Sequence, residues 1–178
     1  MHSRQLSIRE LNRTLLARQL LLARSSDSVE GVLRRLVALQ SQVPQSPHLA
    51  LWSRVAGYTP DSLNSLAKDR RVVRATAMRA TLHTLLSEDY LRFRSALQPA
   101  MHKALRGFFS GSWRQIDLER VRQLGEEFMA TPHTFAELKA FLEQQELSCP
   151  LEAATYAART HLPLVQIPED KLWGYSNN

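Results

Sequence analysis

Residues 71–86 read RVVRATAMRATLHTLL, and this run decides the fold. It is rich in Val, Thr and Ala and alternates with a period of two. Val73, Ala75 and Ala77 share one face of a first arm, and Met78, Ala80, Leu82 and Leu86 share one face of a second. Side chains that alternate in this way mark extended strands, so the run is expected to form a β-hairpin. Its other face offers Arg79, Thr81 and His83 as a basic, polar outer surface able to enter a groove or follow phosphates. Arg70, Arg71 and Arg74 form a basic lead-in suited to phosphate contacts.

Working outward, helices flank the hairpin. Ser7-Ile8-Arg9-Glu10 is a capping box, with Leu11, Leu15, Leu16 and Leu20 at helical spacing behind it, so a first helix is expected to about Ala23. Asp27 and Glu30 open a second helix, whose apolar face is Val29, Val32, Leu33, Leu36, Val37 and Leu39 and which Pro44 and Pro47 stop. A short helix ends at Gly57, with Leu51 and Trp52 expected in the core, and Thr59-Pro60-Asp61 starts another. After the hairpin, Ser87-Glu88-Asp89 caps a long helix to Phe108.

The order then repeats. Helices are expected from Asp117 to Met129, from the capping box Thr134-Phe135-Ala136-Glu137 to Gln145, and from Pro150 to Thr160. Leu162–Gln166 and Lys171–Tyr175 are expected as two further strands. Helices followed by a two-stranded wing, twice over, give a mainly α fold with short β-hairpins, built as tandem winged-helix (helix-turn-helix) units. The boundaries are 1–110 and 111–178, and the second unit ends inside its wing.

The charge is divided along the same line. Residues 1–110 carry 17 Lys and Arg against 7 Asp and Glu, whereas residues 111–178 carry 6 against 10. Fifteen of the first 17 are Arg, which suits bidentate phosphate and guanine contacts, so double-stranded DNA is the expected partner of the first unit. The most apolar run, Leu20–Ala23, is far too short to span a bilayer, and Met1-His2-Ser3-Arg4 leads into a polar helix pattern rather than a secretory leader. Cys149 is the single cysteine, which fits a reducing cytoplasm, where a DNA-bound protein would be nucleoid-associated. No phosphate-cradling glycine loop, nucleophile elbow or zinc-ligand spacing is present, so no cofactor and no metal site is expected.

Three runs carry a resemblance. They are Leu36-Val37-Ala38-Leu39-Gln40-Ser41-Gln42-Val43-Pro44, continuing from Pro47 to Arg54; Met78–His83; and His161–Pro168 with Leu172-Trp173-Gly174. Together they resemble the winged-helix DNA glycosylases of the AlkZ and YcaQ type. The resemblance implies removal of bulky N7-alkylated purines from DNA and unhooking of interstrand crosslinks. It also implies that a Gln-x-Gln motif, here Gln40 and Gln42 at the end of the second helix, places a water against the sugar. The middle residue of that motif is usually aliphatic in the family and is Ser41 here.

Two neutral amides suit this chemistry, because a cationic N7-alkylpurine leaves without protonation. The enzyme need only orient a water and stabilise an oxocarbenium-like centre. Family members are about twice as long, so a homo-oligomer or a partner covering the missing C-terminal part is also expected. The same fold and charge fit a non-catalytic DNA-binding regulator or a protein-interaction module, which differ from a glycosylase in releasing no base.

Overall fold

A computed structural model describes residues 5–176; the Met1–Arg4 part of the leader argument lies outside them. The expected mainly α class with a short β-hairpin is observed. Eight α-helices and a small antiparallel sheet make up the described residues. Helix α1 (Ile8–Arg18) opens on the Ser7/Glu10 capping box and ends short of Ala23. Helix α2 (Val29–Leu36) is capped by Ser28, one residue after the expected Asp27, whose carboxylate instead accepts the Ser28 N–H.

Helix α2 also stops earlier than expected. Val37 adopts φ 71° and ψ −52°, a left-handed geometry costly for a β-branched residue, and the chain turns at once into strand β1 (Ala38–Gln40). Helices α3 (Gln45–Trp52) and α4 (Pro60–Lys68) follow. The expected hairpin is present as β2 (Val72–Thr76) and β3 (Leu82–Leu86). Helix α5 (Ser87–Phe108) leads to α6 (Leu118–Phe128), α7 (Phe135–Glu143), which opens on the Thr134/Glu137 capping box, and α8 (Leu151–His161).

The sheet order is β1-β3-β2, so β3 is central. One face packs Leu39, Val72 and Leu86 against Val29, Val32 and Leu33 of α2, Leu51 of α3 and Leu63 of α4. The other packs Ala75 and Leu85 against Tyr90 of α5. A second apolar core joins Leu105 of α5 to Val121, Leu124, Leu138, Leu142 and the alanines of α8.

The two strands expected after α8 do not form. Residues 162–175 return instead to the first sheet, where Val165 bridges Ala75 and the Gln166 N–H donates to the Arg74 carbonyl at 2.9 Å. Asn64 and Lys68 of α4 hold Leu172 and Asp170 of the same segment. A ribbon with partners on the existing sheet buries its backbone groups without needing a sheet of its own.

Candidate nucleic-acid interface and paired amides

Strand β1 ends at the candidate motif. Leu39 and Ser41 are buried, and Gln40 and Gln42, two positions apart, are exposed. The motif is therefore a strand end and not the helix end expected from sequence. The Ser41 N–H donates to the Leu82 carbonyl at 2.8 Å, extending the ladder by one step. The Gln42 Oε1 accepts from the Leu82 N–H at 3.3 Å, which fixes the orientation of that amide. Gln40 pairs in register with His83.

The six expected DNA-contacting residues separate in the structure. Arg79 is exposed at the hairpin tip, and Arg70 is exposed just before β2. Arg71 is exposed but forms an ion pair with Glu30. Thr81 is half-buried, with its hydroxyl donating to the Met78 carbonyl at 3.1 Å. Arg74 and His83 were expected on the surface and are not there, being only 1% and 5% exposed. The reason is that both hairpin faces are covered, by α2–α4 with Gln166 and Tyr175 of the returning ribbon on Arg74's side and by α5 on the other. The sequence pattern assumed one face open to water. Burial pulls the His83 imidazole below its usual range, and its Nδ1 lies 2.9 Å from the Thr81 carbonyl as a donor in the neutral ring.

Sequence reading missed a second cluster. His48 is buried, its Nδ1 accepting from the Tyr58 hydroxyl at 2.7 Å and its Nε2 facing the Trp173 carbonyl at 3.2 Å. Burial lowers the His48 pKa and raises that of Tyr58. Both residues fell in runs read as helix or linker, and their pairing depends on the returning ribbon. Trp52, expected in the core beside Leu51, is 56% exposed and carries the Arg24 guanidinium 4.3 Å above its ring. Burial pushes the Cys149 thiol up, away from nucleophilic use. Among the described residues no group of three or more His, Cys, Asp or Glu is placed to hold a metal, and no helix is long and apolar enough to cross a membrane.

The chain is thus mainly helical, with Arg79 exposed at the hairpin tip and the amides of Gln40 and Gln42 exposed at the end of β1. Residues 33–178 match the family model described as DNA glycosylase AlkZ-like, and the chain belongs to that family. Membership brings DNA glycosylase as the class of activity and DNA as the partner. No curated protein and no solved structure matches the chain.

Proposed function

We propose that the chain hydrolyses the N-glycosidic bond of bulky N7-alkylated purines in duplex DNA, and unhooks interstrand crosslinks joined through such purines. In this reading it is a cytoplasmic, nucleoid-associated repair protein of two tandem units, residues 1–110 and 111–178, the first with a winged-helix hairpin and the second lending residues 162–175 to the same sheet. A homo-oligomer or a partner completes the enclosure of the duplex. The observation that carries the reading is that Gln40 and Gln42 are both exposed, two positions apart at the end of β1, with Ser41 buried between them.

The C1′–N9 bond breaks, and its electron pair moves into the purine, neutralising the N7 cation. Water adds to C1′ and loses its proton to solvent. The amide carbonyls accept hydrogen bonds from that water and face the positive charge building on the sugar. Holding the water at the anomeric carbon is the main contribution, and neutral amides suffice for it because no strong base is needed. Arg79 at the hairpin tip and Arg70 before it, both exposed, hold the duplex.

A gel assay tests this. Duplex DNA with one N7-methylguanine or a bulkier N7-alkylguanine is incubated with the chain and treated with alkali. Cleavage at the lesion is expected, and the double variant Gln40→Ala/Gln42→Ala is expected to lose it while keeping duplex affinity. Cleavage that survives in the double variant refutes the role of the amides.

One observation favours a second reading, a DNA-binding regulator: the Gln42 Oε1 already has a backbone partner in Leu82. Tight binding to one operator sequence with no base release is the outcome that selects it.

A further inference from the structure

Arg74 lies in β2, and β3 stands between β2 and β1, so no backbone bond can join β2 to the Gln-x-Gln segment. The side chain makes the connection. Its register partner on β3 is Thr84, whose buried hydroxyl has no hydrogen-bond partner among the described residues. The arginine passes that nearer group and reaches past the end of β1. There its Nε donates to the Ser41 carbonyl at 2.9 Å and to the Ser41 hydroxyl at 3.1 Å, and one terminal nitrogen donates to the Gln42 carbonyl at 3.2 Å. The other terminal nitrogen donates to the Gln166 side-chain oxygen, and the Tyr175 ring lies 5.5 Å from the guanidinium carbon.

A buried guanidinium is costly unless its donors are matched, and an aliphatic side chain would serve packing alone, as Val72 does two residues earlier on the same face. Here the matched donors converge on two consecutive carbonyls of the segment that carries the amides. They also tie that segment to the ribbon returning from α8.

We propose that Arg74 is the positioning residue for Gln40 and Gln42, fixing the end of β1 through Ser41 and Gln42 and coupling it to the C-terminal ribbon through Gln166. The inference rests on the glycosylase reading. Ser41 then has a reason of its own, since its hydroxyl supplies an acceptor to Arg74 that an aliphatic residue lacks.

The test is single-turnover excision of N7-methylguanine with saturating protein, beside duplex affinity by fluorescence anisotropy. Arg74→Met is expected to slow excision by about a hundredfold, because a misplacement on the ångström scale is enough for that, with affinity unchanged to within about threefold. Arg74→Lys is expected to restore only part of the rate, since an ammonium is a point donor and not a planar fork. Gln166→Ala removes one contact at a half-buried site and is expected to slow excision by about tenfold.

Wild-type rates in Arg74→Met overturn the proposal. If that variant does not fold, wild-type rates in both Arg74→Lys and Gln166→Ala overturn it. A loss of duplex affinity equal to the loss of rate overturns it as well, by making Arg74 a general structural residue. A wild-type chain that releases no base refutes the glycosylase reading and the proposal together. Excision that needs Arg74 but survives Gln40→Ala/Gln42→Ala refutes positioning of those amides and leaves Arg74 acting on other groups.

Discussion

The half of the molecule that holds the sheet and the half built from α6, α7 and α8 meet burial in opposite ways. In the helical half the core is Leu, Val, Ile and Ala, and Thr160 is its single buried polar residue among those described. In the sheet half Ser41, His48, Arg74, His83, Thr84 and Asp89 are all buried. Backbone strain divides in the same way. Among the described residues, the non-glycine residues with positive φ are Leu20, Val37, Arg70, Arg79 and Ala80, all before α5. Buried polar groups and left-handed backbone both lower stability unless the surroundings hold them, and they gather where function is specified. One half is a support, and the other accepts cost to hold particular atoms in place.

The largest effect that sharpens this contrast is expected in the support. Leu138 is fully buried in the helical core, and Leu138→Ala is expected to cost about 2–5 kcal/mol, because it removes transfer energy and leaves a cavity. Thermal or denaturant melting measures it. A cost below about 1 kcal/mol would show a loosely packed support and break the comparison. By contrast, Gln40→Ala/Gln42→Ala in the exposed face is expected to change stability by less than about 0.5 kcal/mol while removing excision.

A smaller effect is expected from acid. Burial, first among the causes, lowers the pKa of His48, His83 and His161; Arg79 adds to this at His83, and His102 and Arg94 at His161. In the unfolded chain each imidazole takes up a proton near pH 6.5, whereas in the folded chain it resists until lower pH. The unfolded state therefore binds more protons in that interval. Stability from these groups is fully present above about pH 6.5 and falls as pH drops from there to the folded pKa values. Hydrogen exchange at pH 7.5 and 5.5 is expected to show the sheet half, which holds two of the three, opening more than α6 and α7. Equal change in both halves would remove the electrostatic part of the contrast.

Much of this was legible in the sequence, for physical reasons that are local. The two capping boxes and Pro60 at the start of a helix each depend on neighbours within a few residues and formed where expected; the alternating run 71–86 formed its hairpin, but Met78 and Ala80, expected in the second arm, lie in the turn. The paired glutamines were also visible as a motif, although their setting was not. A strand of three residues leaves too little alternation to distinguish Ala38–Gln40 from one more helical turn, and Val37 carries no glycine to announce the break. The burial of Arg74 and His83 was illegible because it depends on what covers each face. The ribbon of residues 162–175 reads as two strands by composition, yet it finds partners some 90 residues upstream, and period alone cannot reveal that.

The smallest expected effect has two opposite signs, which makes it the sharpest. The hairpin turns through Met78-Arg79-Ala80-Thr81, with the Thr81 N–H donating to the Met78 carbonyl at 3.2 Å. Arg79 has φ 55° and ψ 25°, and Ala80 has φ 56°. Left-handed geometry at both central positions of a four-residue turn is normally met by Asn or Gly. An arginine there carries a steric cost of about 1–2 kcal/mol. Arg79→Gly relieves that cost and gives back part of it in unfolded-chain entropy, so a net gain of about 0.5 kcal/mol is expected. The same change removes an exposed cation at the tip. Duplex affinity is then expected to fall, with the slope of log affinity against log salt reduced by about one phosphate contact. Higher melting temperature with weaker, less salt-dependent binding would mean that the sheet half trades stability for a charge at the tip. Loss of stability on making Arg79→Gly would mean that the arginine is held there by packing, and strain at the tip would no longer set the two halves apart.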